Sequence, residues 1–523
     1  LNLLLPLDKA LRLWPEREAI VDDKVRLTYK EFGARVYALA RALQSFGLPK
    51  GTRVAILAPN TYKYMECYYA HAISNLVLVP INTRLAPGEV IAILQDSETS
   101  LIITHSDFND VALQAAKAIT SLQGIVWLDR RPNNSAVHCQ QYHYEELLAA
   151  ASRLEFSPCQ PSADDLAQLY YTSGTTGNPK GVMLSHGNVT FHALAAALEL
   201  SLSEEDVWYH VAPMFHLADA WSIFAITWVG GKHVFLPHFQ ADQVLETIDK
   251  EKISLLAMVP TMANALLNAE SLSANSYKSL RMFLTAGAPI APEMVRKIVE
   301  GFGCQYVQYY GMTETSPLLT LSLLKAKHLQ LTLEERLRIA SKTGRSFLGV
   351  ELLVVRENGE EVEPDDQEIG EIIARGPGVT AGYWKQPEAT AHLIKNGWLH
   401  TGDLAVIDQE GYVNIVDRKK DMIITGGENV YSTEVEYVLY EHPAVLECAV
   451  FGLPDNTWGE AVKAVVVLKA NQSTDEKALI EFVRTKIAAY KAPRSIDFIE
   501  ALPKTGSGKI SKRTLKDSYL RAR

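Results

Sequence analysis

The sequence predicts an α/β protein: a large N-terminal domain of mainly parallel α/β sheets that carries a small antiparallel β subdomain, then a C-terminal α+β domain. Three observations predict it. Short apolar strand candidates alternate with helical patterns up to about residue 325, hairpin patterns fill 345–417, and β/α texture returns after Lys420. The 523 residues are 47% hydrophobic and 21% charged, a globular balance with material for more than one sizeable core.

Taken in order, Thr28 and Glu31 form a capping box, Phe32, Val36, Leu39, Leu43 and Phe46 follow at helical spacing, and Gly47 stands where a C-cap belongs. Arg53 to Ala58 and Leu101 to Thr104 read as buried strands, as do 208–212, 233–236, 255–259, 282–285 and 304–308. Leu352 to Arg356 precedes an Asn358-Gly359 turn, and 404–408 is joined to 412–416 through Gln409-Glu410-Gly411. Beyond the boundary, Thr433 and Glu436 are expected to box a helix start, and 447–452 and 461–468 to form strands. The domains expected are 1–419 and 420–523, with 345–417 as the antiparallel subdomain.

The formal net charge of −10 argues against a nucleic-acid footprint. Five widely spaced cysteines without a CxxC pair indicate neither a disulfide framework nor a zinc site, which predicts a reducing, cytoplasmic setting. No apolar run reaches the ~18 to 20 residues of a membrane span. The start, Leu-Asn-Leu-Leu-Leu-Pro, lacks a basic region before its leucines and reads as trimmed, without an intact signal peptide.

The most informative segment is Tyr170-Tyr171-Thr172-Ser173-Gly174-Thr175-Thr176-Gly177-Asn178-Pro179-Lys180-Gly181, where an apolar strand runs into hydroxyls and glycines. Such a loop suits phosphate: glycines let backbone N–H groups turn toward an anion, hydroxyls donate, and Lys180 adds a compact positive charge. It is not a Walker A loop, because Gly177 is followed by Asn-Pro-Lys.

This loop resembles the signature of the adenylate-forming (AMP-binding) superfamily, which includes acyl-CoA synthetases, and further motifs follow in family order. Gln308-Tyr309-Tyr310-Gly311-Met312-Thr313-Glu314 is similar to the second nucleotide motif, which implies that Thr313 contacts phosphate and that Glu314 serves Mg²⁺. Asp403, in His400-Thr401-Gly402-Asp403, is implied to accept from both ribose hydroxyls, and Arg418 to reach the nucleotide. Lys509, in Gly506-Ser507-Gly508-Lys509, matches the catalytic lysine implied to bridge the substrate carboxylate and the α-phosphate. His216 matches a residue beside the carboxylate, with a positioning or gating role, and Gly287-Ala288-Pro289 the segment between acyl pocket and adenine. Lys420 falls at the family hinge, and Gly426-Gly427-Glu428 where the rotated, mobile C-terminal domain would face the coenzyme A thiol.

The resemblance implies an ATP-dependent acyl-CoA synthetase that uses ATP, Mg²⁺ and coenzyme A. The pocket candidates Leu217, Ala218, Ala220, Trp221, Gly287, Gly311, Pro317 and Leu318 include no basic residue, and Asp219 is the only charge among their neighbours, so an acid with an apolar tail is expected. Segments after Glu314 look like those of medium- and long-chain fatty acyl-CoA synthetases. A carrier-protein-loading adenylation enzyme and an aryl-CoA ligase are the alternatives. Pro503 with Gly508-Lys509 resembles the motif of synthetases inactivated by acetylation, which makes a lysine acetyltransferase acting on Lys509 an expected partner, beside a homodimer mate.

Overall fold

The computed structural model describes residues 1–132, 137–172, 179–288, 290–455, 457–505 and 508–521. Three sheets organise them. In the first, strands Gln140–His143, Gly124–Trp127, Leu101–Thr104, Arg53–Leu57, Val77–Pro80 and Leu166–Thr172 lie parallel, and Lys180–Ser185 adds an antiparallel edge.

The second sheet has 14 strands and changes character along its length. Gln305–Gly311 pairs in parallel with Met282–Thr285 on one side and antiparallel with Leu318–Leu321 on the other. On the parallel side follow Leu255–Met258, Val207–His210, Lys232–Phe235 and Glu18–Asp22. On the antiparallel side follow Gly344–Ser346, Tyr412–Arg418, Trp398–Ile407, Gly370–Arg375 and Glu351–Val355. The hairpins expected between 345 and 417 therefore continue the main sheet. The Asn358-Gly359 turn forms, with Gly359 at φ +87°, but Glu351–Val355 finds its long partner in Gly370–Arg375.

The parallel strands are apolar on both faces because helices cover both. Tyr29–Ser45, Tyr62–Ser74 and Leu217–Val229 fill the space between the two large sheets in one continuous core. Ala241–Glu251 and Pro292–Phe302 cover the outer face of the second sheet, and Pro87–Asp96 and Asn109–Ala118 that of the first. The Thr28 capping box forms: Glu31 N–H donates to Thr28 Oγ1 at 3.2 Å and Thr28 N–H to Glu31 Oε2 at 2.8 Å. Phe46 lies one residue past that helix, at its C-cap. No described helix is long and apolar enough to cross a membrane.

The third sheet, Glu428–Val430, Ile423–Thr425, Gly459–Leu468, Val445–Asp455 and Ser495–Phe498, closes over its own apolar core. Here one local expectation fails. The helix Ser432–Tyr440 starts with Tyr431 at the N-cap and has no capping box. Thr433 Oγ1 instead donates to Val416 O, and Glu436 accepts from Val450 N–H at 2.7 Å and pairs with Lys512 at 2.8 Å. Tertiary partners outcompete the local cap.

Candidate active site

The parallel strands Val207–His210, Leu255–Met258, Met282–Thr285 and Gln305–Gly311 end on one edge, where an open α/β sheet binds its ligands. The segments that follow carry His216, Gly287, Thr313 and, in the helix Pro260–Leu267, Thr261. Asn60, in the loop after the strand Arg53–Leu57 of the first sheet, fixes one of them: its Nδ2 donates to His210 O and Ala212 O, and its Oδ1 accepts from Met214 N–H at 2.8 Å.

Thr172 and Lys180 face each other across the hairpin that bears the glycine-rich loop. Ser173, Gly174, Thr175, Thr176 and Gly177 lie outside the described residues, as do Pro289, Gly506 and Ser507. Lys180 Nζ stands 5.0 Å from the centre of the Tyr383 ring, and Tyr383 Oη donates to Glu314 Oε1 at 2.7 Å. Burial pushes the Glu314 carboxyl above its usual range, against the pull of the Tyr383 hydroxyl and of the Lys180 and Arg418 charges. Glu314 is thus a buried acid whose side-chain donor among the described residues is the neutral Tyr383 hydroxyl, an environment that a cation would complete. Among the described residues no three His, Cys, Asp or Glu groups cluster as a metal site. The fit is to an ion such as Mg²⁺ that takes few protein oxygens and completes its shell with phosphate and water.

Glu314 and the half-buried Thr313 share a single 3₁₀ turn, Thr313–Thr315, pinned by Met312 N–H donating to Thr315 Oγ1 at 3.1 Å. Gly311 is required there, because a Cβ would sit 1.8 Å from Pro317 O.

Tyr309 and Tyr310 point to opposite faces of their strand. Tyr310 Oη donates to Asp403 Oδ2 at 2.7 Å, and Asp403, only 8% exposed, pairs with Arg418 Nε at 3.3 Å across neighbouring strands. Tyr309 Oη donates to Ala218 O at 2.6 Å, on the side of the acyl-pocket candidates rather than that of Asp403. Gln308 Nε2 donates to Ala288 O at 3.4 Å.

Lys509 comes from the other end of the chain. Its loop is closed by Thr505 N–H on Lys509 O (2.7 Å), and Gly508 O accepts from Thr261 Oγ1 at 3.3 Å. The side chain lies directly over Gly287, at φ +87°, where a Cβ would be 2.3 Å from Lys509 Cε and 3.1 Å from Nζ. Burial first, then the Arg418 charge, push the Lys509 ammonium down to about 8, with Asp403 pulling upward. His216 sits at the N-cap of Leu217–Val229, and its Nε2 is buried with no partner among the described residues. Burial, Lys509 and Arg84 push its imidazole down to about 3, so it is neutral at pH 7.

Of the acyl-pocket candidates, Leu217, Ala218, Ala220 and Trp221 lie in the first turns of the same helix. Ala218 O also accepts from Trp221 Nε1 at 3.2 Å, and Trp221 packs edge-on against Trp208 and His192, with centroids 5.0 and 5.9 Å away. Asp219 turns into the core, where Oδ2 lies 2.6 Å from His210 Nδ1 and Oδ1 accepts from Trp208 Nε1. Gly426, Gly427 and Glu428 form an exposed turn on the third sheet, with Gly426 N–H on Trp458 O at 2.8 Å, and Lys420 is exposed in the turn after Arg418. Sequence reasoning missed Tyr383, Thr261 and Asn60, which act across large chain separations. The opposite directions of Tyr309 and Tyr310 were readable from strand alternation.

The AMP-binding enzyme family model matches residues 7–384, and the model of the AMP-binding enzyme C-terminal domain matches 434–509. A feruloyl-CoA synthase from Amycolatopsis is 36% identical over 512 residues, covering 96% of both chains. The long-chain-fatty-acid–CoA ligase FadD13 from Mycobacterium tuberculosis is 35% identical over 515 residues, covering 97% of this chain and 96% of that one. Among solved structures, ATP-bound MatB from Rhodopseudomonas palustris superposes with a TM-score of 0.87 at 29% identity, covering 99% of each chain. Apo MatB gives 0.75 at 28% identity, covering 100% of each. The chain belongs to the AMP-binding, adenylate-forming enzyme family and is a CoA ligase of the acyl-CoA synthetase type.

Proposed function

We propose that this enzyme activates a carboxylic acid with an uncharged apolar tail, of the medium- or long-chain fatty class, as its acyl-adenylate and then passes the acyl group to coenzyme A. The observation that carries the first step is Lys509 lying on Gly287, close enough to Asp403 and Arg418 for their charges to move its proton. In that step a carboxylate oxygen bonds to the α-phosphorus of ATP as pyrophosphate leaves. In the second, the thiolate of coenzyme A bonds to the acyl carbon as AMP leaves. Adenylation supplies the leaving group that a free carboxylate lacks.

Each residue then has a part. Asp403, held by Tyr310, accepts from the ribose diol, and Arg418 and Lys180 offset phosphate charge. Lys509 binds the developing charge between carboxylate and α-phosphate. Glu314, with Thr313 beside it, would hold Mg²⁺, which when bound neutralises polyphosphate charge. Neutral His216 offers its free Nε2 to orient the acid, which needs no deprotonation at pH 7. Gly287 and Ala288, backed by Gln308, form the ledge between acyl tail and adenine. Asp219 is turned away onto His210, so the tail meets no second charge, which supports an apolar acid. We place the hinge at Lys420. Support for it comes from the separate core of the lobe beyond it and from the different scores against ATP-bound and apo MatB. A turn there would withdraw Lys509 and bring Gly426-Gly427-Glu428 to the thiol.

An aryl acid is the second reading, favoured by one observation: Trp221, Trp208 and His192 pack a wall of rings behind Ala218. Pyrophosphate release measured across acetate, medium- and long-chain fatty acids, benzoate and cinnamate, each with and without coenzyme A, separates the two. Fastest release with alkyl acids, and acyl-CoA plus AMP once coenzyme A is added, are expected. Fastest turnover of benzoate or cinnamate would install the aryl reading, and pyrophosphate without acyl-CoA would point to a carrier-protein acceptor.

A further inference from the structure

The strand that delivers Arg418 ends in a buried polar cluster with no part in the chemistry above. Asp417, 2% exposed, accepts from Ser432 N–H at 2.5 Å and from Ser432 Oγ at 3.1 Å. Ser432 Oγ in turn accepts from Lys512 Nζ at 2.6 Å, and Lys512 pairs with Glu436 at 2.8 Å. Thr433 Oγ1 caps Val416 O beside it. These bonds run from a strand of the main sheet, through the first turn of the helix Ser432–Tyr440, to a lysine three residues beyond Lys509.

Burial opposes the charge of Lys512, and Glu436 and Asp417 outweigh it, so the ammonium is held above its usual range. Burial likewise pushes the Asp417 carboxyl upward, against Lys512 and the Ser432 donors. The cluster is therefore costly unless every member is in place. One turn further along the same helix, Tyr437 lines a cavity of about 540 Å³ with Ile290, Pro292 and Asn414 of the main body, so packing is loose there. Beside the Thr261–Gly508 bond at the Lys509 loop, anchorage falls on the polar cluster.

We propose that Asp417 is a positioning residue that latches the C-terminal lobe in its adenylating posture and so holds Lys509 over Gly287. The inference rests on the functional reading above. Asp417 precedes the hinge at Lys420 while Ser432 and Lys512 follow it, so turning the lobe breaks the latch. The latch serves the first half-reaction and is spent in the second.

The test uses the whole 523-residue chain. In Asp417→Asn, ATP–pyrophosphate exchange falls about tenfold, the cost of one charged hydrogen bond, in kcat rather than in KM for ATP. Single-turnover thioester formation from synthetic acyl-adenylate and coenzyme A is unchanged or faster. Ser432→Ala, which keeps the backbone bond, shows a smaller loss of the same kind, and it carries the test if Asp417→Asn does not fold. Equal losses in both halves, or no loss of exchange in a folded variant, overturns the proposal. Lys509→Ala is run in parallel: exchange intact there overturns the functional reading and the latch with it, whereas exchange lost there but untouched in Asp417→Asn overturns the latch alone.

Discussion

Two faces of the C-terminal lobe stand in opposite conditions. The loop of Lys509 rests against the main body, its Gly508 carbonyl held by Thr261 and its side chain lying over Gly287. The Gly426-Gly427-Glu428 turn of the same lobe is exposed, with Gly426 N–H on Trp458 O and Glu428 paired with Thr425 in its hairpin. A rigid lobe cannot present both at once. On the function proposed above, the difference teaches that this arrangement suits adenylation, and that residues on the two faces should fail in different halves.

The largest effect that would break this contrast is steric. Gly287→Val adds atoms where Lys509 Cε lies and a β-branched residue at φ +87°, so ATP–pyrophosphate exchange should fall about a hundredfold or more, with thioester formation from supplied adenylate much less affected. Equal losses would mean that Lys509 is not seated there in solution. Next is Asp403→Asn, which removes the charge facing Tyr310 and Arg418; KM for ATP should rise roughly ten- to a hundredfold in initial-rate assays. Gly427→Val sharpens the other side: exchange should be normal and the thioester half about tenfold slower in single-turnover mixing.

The smallest effect is one of pH. With Lys509 lowered to about 8, its charged form is present below that pH and lost above it, so kcat/KM for adenylation should decline as pH rises past about 8. Thioester formation from supplied adenylate should lack this limb, and a shared limb would assign the titration to another group.

Contiguous motifs made most of the candidate site, as proposed above, legible in sequence: the strands at Thr172 and Lys180, Thr313-Glu314, Asp403, Arg418 and Lys509 each keep their neighbours within a few residues. The alternation of buried strands and helical patterns made the α/β class legible for the same reason. Contacts that join distant segments were not. Tyr383 reaches Glu314 across 69 residues, and Asp417, Ser432 and Lys512 meet only because strand, helix and C-terminal segment pack together. The Thr433–Glu436 box was misread because Val416 O and Lys512 offered better partners than the local backbone. Asp219 looked like a pocket charge and is a core one, since only the fold brings His210 beside it.

The central claim is that Lys509 serves adenylation and not thioester formation. The direct measurement is Lys509→Ala assayed in both halves, by ATP–pyrophosphate exchange and by single-turnover acyl-CoA formation from synthetic acyl-adenylate. Exchange should fall about a thousandfold, as for loss of a preorganised charge at the reacting centre, with acyl-CoA formation within about twofold of the parent enzyme. Parallel loss in both halves, or exchange that survives the substitution, would contradict it.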